Sequence, residues 1–216
     1  MTDITVLGGT GYVGGHIVQV AAARGHGVVA YSRHAPAEPV PGVEYRIGDV
    51  QERATLAAAV EGADVVLSAL SPRGELEGSG VLRGIDAALA RIAATAGVRL
   101  GVVGDAGSLL VSEGGPRLID TEAFPEEYRA EAEELETVLE DLRAEQGALD
   151  WFVVSPPAGF GGYAPGEATG RYRLGGDVML VDEAGQSFIS GADFALALVD
   201  EIEAPSHHRT RFTVAY

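Results

Sequence analysis

Three glycines spaced three residues apart, directly behind a short apolar run, constrain the fold of this chain more than any other feature. The run covers residues 3–7, the glycines are Gly8, Gly11 and Gly14, and an apolar helical pattern begins near Tyr12. The first glycine permits a tight turn, the second lets backbone come close to a ligand, and the third lets a helix pack near a strand. The spacing therefore predicts a strand, a turn and a helix in that order.

The rest of the chain continues this alternation of strand and helix. Alternating βα patterns predict an α/β fold of the doubly wound Rossmann type with a mostly parallel sheet. We expect one domain over residues 1–216, to which residues 156–216 contribute a small substrate lobe containing a hairpin of 171–174 with 178–181. The predicted strands are 3–7, 27–32, 43–47, 63–69, 98–103, 151–154 and 209–215. The predicted helices include 12–24, 52–60, 81–96, an acidic helix after 125 and one from Ser190 to about 202.

The composition excludes several kinds of chemistry. The chain has no cysteine, and its fifteen basic residues are all arginines, so disulfides, thiolate metal sites, Schiff bases and a Tyr-Lys catalytic pair are absent. Its five histidines form no metal-binding pattern, and no metal is expected. A net charge of −17 makes nucleic acid a poor partner. No apolar run is long enough for a membrane helix, and the early strand predicts a cytoplasmic protein without a leader.

The glycine turn predicts a dinucleotide site. We expect backbone around Gly8, Thr10, Gly11, Tyr12, Val13 and Gly14 to bind a diphosphate at the N-terminus of the first helix. The second strand ends in Ser32-Arg33, where an NAD site would usually place an acid. A guanidinium there suits the 2′-phosphate of NADP(H), so NADP(H) is the expected cofactor; the alternative is that Arg33 is ordinary surface charge.

Two more strand ends supply candidate cofactor contacts. Asp49 and Val50 follow the third strand, where Asp49 could accept the adenine amino group or cap the next helix. Ala69 and Leu70 follow the fourth strand, at the carboxyl edge of the sheet. We expect both pairs to lie near the bound dinucleotide.

Together these segments resemble the atypical short-chain dehydrogenase/reductase superfamily, in its NAD(P)H-binding, NmrA-like and flavin/biliverdin-reductase-type branch. The resemblance is carried by Gly-Gly-Thr-Gly-Tyr-Val-Gly at 8–14, Ser32-Arg33, Gly48-Asp49-Val50, Gly-Asp-Ala-Gly-Ser-Leu at 104–109, Pro-Arg-Leu at 116–118 and Trp-Phe-Val-Val-Ser-Pro-Pro at 151–157. It implies NADP(H) and hydride transfer to a flavin, quinone or similar conjugated acceptor. It also implies that Gly104 and its loop, with Ser155 and Pro156, flank the nicotinamide.

The candidate catalytic residues are Ser108 and Tyr128. Ser108 could contact the nicotinamide or substrate, or only stabilise its loop. Tyr128 lies on the predicted apolar stripe of the acidic helix, which favours core packing over donation of its hydroxyl, and Ala132 stands where a catalytic lysine would follow four residues later. Phe160 and Tyr163 could stack on a planar substrate or simply pack within their lobe.

These features predict an NADP(H)-dependent oxidoreductase acting on a small planar substrate, as a monomer or homodimer. One alternative is a non-catalytic NADP(H) redox sensor, which the acidic stretch between Glu122 and Glu145 would suit as a docking surface. That stretch is otherwise a solvated helix face. Another alternative is a dehydratase or epimerase-like enzyme with a relocated acid/base.

Overall fold

The computed structural model describes residues 1–77 and 80–216. Within these residues, eight strands form one sheet in the order β3-β2-β1-β4-β5-β6-β8-β7. All neighbours are parallel except β7 and β8, which are antiparallel. The strands are β1 (Asp3–Leu7), β2 (Gly27–Ser32), β3 (Val43–Ile47), β4 (Val65–Ser68), β5 (Arg99–Val103), β6 (Trp151–Ser155), β7 (Arg173–Gly175) and β8 (Thr210–Ala215).

Helices cover both faces of this sheet. They are α1 (Tyr12–Ala23), α2 (Arg53–Val60), α3 (Val81–Ala96), α4 (Arg129–Ala144) and α5 (Gly191–Glu203). The helices α1 and α5 pack in one core cluster, and α2, α3 and α4 pack in the other. Successive side chains of a strand point to opposite faces, so Phe152 and Val154 enter the first cluster while Trp151 and Val153 enter the second. The doubly wound Rossmann-type fold is thereby confirmed.

The strand order places a crevice at the carboxyl edge of the sheet. The chain winds outward from β1 to β3 on one side and from β4 to β6 on the other. Connections from neighbouring strands β1 and β4 therefore diverge, which leaves space for a ligand between them. The loops that follow β1, β4, β5 and β6 all emerge at this edge.

The C-terminal part of the chain divides between the sheet and the surface. The predicted hairpin is wrong, because Arg173 pairs with Ala215 of β8 and Val178 instead forms a bridge with Leu110. The helix α5 packs on α1, and β8 joins the sheet beside β6. Residues 156–190 lie outside the layers apart from β7, and we call this segment the C-terminal lobe.

No helix in the described part of the chain is long and apolar enough to cross a membrane.

Candidate functional site

The glycine turn behind β1 is held by its own backbone. The amides of Gly8 and Gly9 both donate to the carbonyl of Tyr31, at 3.0 and 3.1 Å, which fixes the turn against β2. Gly8 has a φ of +81°, a conformation that favours glycine. A Cβ atom on Gly14 would lie 2.1 Å from the Gly8 carbonyl oxygen. The first turn of α1 can therefore approach the loop this closely only because Gly14 has no side chain.

The N-terminus of α1 is open toward the cleft. Gly11 is its N-cap, no described side chain caps it, and its first turn holds no acidic residue. The first N–H groups of a helix have no partner within the helix, and the helix dipole favours an anion there. Thr10 and Gly11 are exposed at this point. The cradle thus fits a diphosphate, which would accept these N–H groups.

The predicted adenosine residues follow β2 and β3. Ser32 is buried and its hydroxyl donates to the carbonyl of His34 at 2.6 Å. The side chain of Arg33 is 49% exposed, and its guanidinium pairs with the Glu75 carboxylate at 2.8 Å. These positions flank the edge where β2 and β3 end.

Asp49 does not cap α2. Its carboxylate accepts the amide of Gln51 at 2.9 Å, and the N-cap residue of α2 is Glu52. The capping alternative for Asp49 is therefore wrong, and its exposed carboxylate leaves the adenine role as a prediction. Val50 is buried in the core under α2.

A cleft of about 560 Å³ lies at the carboxyl ends of β1, β4, β5 and β6. Its walls are the N-terminus of α1, the loops after β4 and β5, the helix α4 and the start of the C-terminal lobe. Many sequence-predicted residues line it: Gly11, Tyr12, Val13, Ala69, Leu70, Gly104, Tyr128, Pro156, Phe160 and Tyr163. The structure thus brings the first helix and the C-terminal lobe, which are far apart in the sequence, to one site.

Ser155 lies beside this cleft without lining it. Its hydroxyl is buried and has no hydrogen-bond partner among the described residues. A Cβ atom on Gly104 would lie 3.4 Å from this oxygen, so the two predicted nicotinamide neighbours are adjacent. A buried polar atom usually has a partner, which makes Ser155 Oγ a suitable contact for a polar ligand group.

The hydroxyl of Ser108 forms hydrogen bonds within its own loop and with β8. It is buried behind the cleft wall, where its hydroxyl accepts from Arg211 Nη1 at 2.9 Å and donates to Asp105 Oδ2 at 3.2 Å. Arg211 is itself paired with Asp177. Because the hydroxyl is occupied on both sides, direct contact with a substrate receives no support from this geometry, and Ser108 positions Asp105 instead.

Tyr128 faces the cleft and does not pack in the core. The helix α4 begins at Arg129, and the preceding turn of Glu126–Tyr128 leaves Tyr128 37% exposed. The expected core packing of Tyr128 is therefore wrong. The Arg73 guanidinium lies 5.9 Å from its ring centre and pairs with Glu131 at 2.6 Å, which links the loop after β4 to α4 across the cleft.

Sequence reasoning missed Asp105, which also lines the cleft. Burial raises the pKa of its carboxyl group to about 6, although the Ser108 amide and hydroxyl both donate to it and favour the charged form. An acidic residue at the second position of a glycine-rich loop was the available signal. No group of histidine, aspartate or glutamate side chains that could hold a metal ion occurs in residues 1–77 and 80–216.

Known proteins resemble this chain over its full length. Residues 8–205 match the family profile described as NAD(P)H-binding. A proposed exported protein of Burkholderia pseudomallei is 40% identical with a TM-score of 0.86, each chain being 100% covered. A proposed NADH-flavin reductase of Streptococcus pneumoniae is 31% identical with a TM-score of 0.89, covering 100% of this chain and 99% of that one. A proposed epimerase of Bacteroides thetaiotaomicron is 34% identical with a TM-score of 0.87, covering 100% of this chain and 98% of that one.

Proposed function

This chain belongs to the NAD(P)H-binding family of atypical short-chain dehydrogenases/reductases, and from that premise we propose that it is an NADP(H)-dependent reductase of small conjugated acceptors such as flavins or quinones. One observation carries the proposal: the open N-terminus of α1 lies at one end of a 560 Å³ cleft with a largely apolar lining. A diphosphate at that helix would direct the rest of the cofactor along the strand ends.

The chain's own residues divide the work of binding and orientation. The turn from Gly8 to Gly14 would hold the diphosphate, and Ala69, Leu70, Gly104, Ser155 and Pro156 would surround the nicotinamide. When bound, the reduced dinucleotide supplies a hydride. Phe160, Tyr163 and Tyr128 offer aromatic faces and edges to a planar acceptor in the same cleft. Catalysis would rest largely on holding the two reacting partners in contact and excluding water.

The preference for NADP(H) is proposed from Arg33. Its half-exposed guanidinium lies at the end of β2 and can exchange Glu75 for a 2′-phosphate. We expect Arg33→Glu to weaken NADPH binding at least tenfold and NADH binding by less than threefold, as measured by calorimetry. Arg91→Glu is the control: among the described residues, the guanidinium of this exposed arginine on α3 donates only to the Ala87 carbonyl, and its reversal makes the same change in net charge. An equal loss for both cofactors would reject the NADP assignment.

The reductase activity is tested by following NADPH absorbance with purified protein and a panel of flavins, quinones and tetrapyrroles. Oxidation above background supports the proposal. Tight NADPH binding with no turnover across the panel would contradict it and favour the redox-sensor alternative, whose acidic helix α4 also lines the cleft. The same preparation tests the monomer or homodimer expectation by light scattering. A cytoplasmic location belongs to this proposal and is tested by cell fractionation.

A further inference from the structure

Asp105 is a carboxyl group in the cleft wall with no part so far in the proposed reaction. It directly follows Gly104 at the end of β5 and is held by Ser108, whose amide donates to Oδ1 at 2.9 Å and whose hydroxyl donates to Oδ2 at 3.2 Å. A Cβ atom on Gly107 would lie 2.9 Å from Oδ1, so this glycine leaves the space that the carboxyl group occupies. The group is therefore fixed in position at the cleft.

The charged side chains around Asp105 are already matched with one another. Among the described residues, no guanidinium forms an ion pair with Asp105 itself. The neighbouring charges on other elements are Glu136 of α4 with its partner Arg117 at 2.5 Å, Arg211 of β8 with Asp177 at 2.5 Å, and Arg73 with Glu131 at 2.6 Å. Burial raises the pKa of Asp105 and the charge of Glu136 adds to this, while the bonds from Ser108 and the Gly107 amide oppose it, and together they place the pKa at about 6. Asp105 can thus carry a proton near neutral pH.

We propose that Asp105 is the proton donor of the reduction, an inference that rests on the proposed function. The Asp105 O–H bond breaks, and its proton goes to a basic nitrogen or oxygen of the acceptor as the hydride forms its new bond to the same molecule. The acceptor gains one hydride and one proton, which balances oxidation of NADPH to NADP⁺. Solvent at the mouth of the cleft then returns a proton to Asp105. General acids of this kind contribute roughly 10²–10⁴-fold to rate.

The pH dependence of single-turnover reduction tests the assignment. In the unmodified protein the rate should fall as pH rises through about 6, because the proton is lost from Asp105. Asp105→Asn keeps the shape and can still accept the Ser108 amide, so we expect a loss of about 100-fold and a flat profile between pH 5 and 8. The control is Asp120→Asn, an exposed carboxylate of the same loop that pairs with Arg117 outside the cleft. It should leave the inflection in place.

Ser108→Ala distinguishes a proton donor from a structural residue. Loss of the hydroxyl donor removes a bond that favours the carboxylate, so the inflection should move to higher pH while activity persists. If Asp105 and Ser108 only supported the loop, both variants would lower the rate without moving the inflection. That result would overturn the proposal.

A measurement without turnover tests whether Asp105 lies beside the nicotinamide. The oxidised ring is positively charged and favours a carboxylate neighbour, whereas the reduced ring is neutral. Calorimetry at pH 6 in two buffers of different ionisation enthalpy should therefore show more proton release with NADP⁺ than with NADPH, and Asp105→Asn should remove the difference. Absence of binding by either cofactor would refute the proposed function itself. The role of Asp105 alone would be refuted if the variant bound and turned over normally, with the pH dependence and proton release of the unmodified protein.

Discussion

At the scale of single residues, the neighbouring glycines Gly14 and Gly15 have different importance for the turn. A Cβ atom on Gly14 would lie 2.1 Å from the Gly8 carbonyl oxygen, whereas the nearest atom to a Cβ on Gly15 is the Gly9 oxygen at 3.9 Å. The first distance is a clash with backbone that cannot move without opening the turn. The second is ordinary contact. Of these two glycines, Gly14 is therefore the one that the cradle needs to keep its shape.

We predict that Gly14→Ala lowers NADPH affinity by at least tenfold and the free energy of unfolding by about 1–3 kcal/mol, because α1 must shift away from the loop. Gly15→Ala should bind normally and gain up to about 1 kcal/mol, since alanine favours a helix interior over glycine. Urea unfolding and fluorescence titration of both variants check this. Equal behaviour of the two would mean that close approach at Gly14 does not hold the site together.

At the scale of elements, one side chain of α5 connects the C-terminal lobe to the core. The sequence pattern of Ser190 and Asp193 predicted a helix cap, and the Ser190 hydroxyl does accept the Asp193 amide at 3.1 Å. The Asp193 carboxylate, however, turns toward the lobe and accepts the amides of Thr169 and Gly170 at 2.6 and 2.9 Å. It also accepts the hydroxyl of Tyr216 at 2.5 Å. This carboxylate therefore anchors the segment that forms one wall of the cleft.

We predict that Asp193→Asn lowers stability by about 1–3 kcal/mol and speeds amide exchange across residues 164–175, because an amide cannot accept from every donor around it. Burial alone would raise the pKa of Asp193, but the hydrogen bonds from Tyr216, Thr169 and Gly170 hold it below its ordinary value, so the anchor operates at neutral pH. Asp182→Asn is the matched control, since in the part of the chain that the structure describes its carboxylate accepts only the loop amides of Ala184 and Gln186. Hydrogen exchange by mass spectrometry checks both variants. Unchanged protection at 164–175 in Asp193→Asn would contradict the anchoring role.

Elements that depend on local pattern could be predicted from the sequence, and those that depend on distant partners could not. The bounds of β1, β2, β3 and α3 agree with the sequence prediction, because local apolar patterns there end at glycines or polar turns. The predicted hairpin of 171–174 with 178–181 failed because β7 pairs with the distant strand β8, where Arg173 lies opposite Ala215. Tyr128 was misplaced because a short turn before α4 removes it from the helical register. Asp105 was missed because its chemistry comes from burial.

At the scale of the whole molecule, a buried ionic network joins three parts of the fold. Glu201 of α5 accepts from Arg99 of β5 at 2.6 Å and from the amides of Ser206 and His207, each at 3.0 Å, in the turn before β8. Arg99 lies over the Phe152 ring of β6 at 4.5 Å. Helix, central strand and C-terminal turn are thus held by one carboxylate that is only 3% exposed.

Removal of that charge should destabilise the fold in a pH-dependent way. Burial would raise the pKa of Glu201, but the bonds from Arg99, His207 and Ser206 lower it to about 2. A lowered pKa stabilises the folded state above the unfolded value, and this contribution is lost as pH falls toward about 2. We predict that Glu201→Gln costs about 3 kcal/mol at pH 7, because buried Arg99 then keeps only the more exposed Asp150, 3.2 Å away, as a counter-ion among the described residues, and that this difference shrinks below pH 4. Glu203 lies on the same helix and pairs with Arg24 at 2.6 Å, but its side chain is 38% exposed. Glu203→Gln should therefore cost less than about 1 kcal/mol. Urea unfolding from pH 3 to 8 measures both, and a pH-independent or equal loss would show that the network does not join these elements.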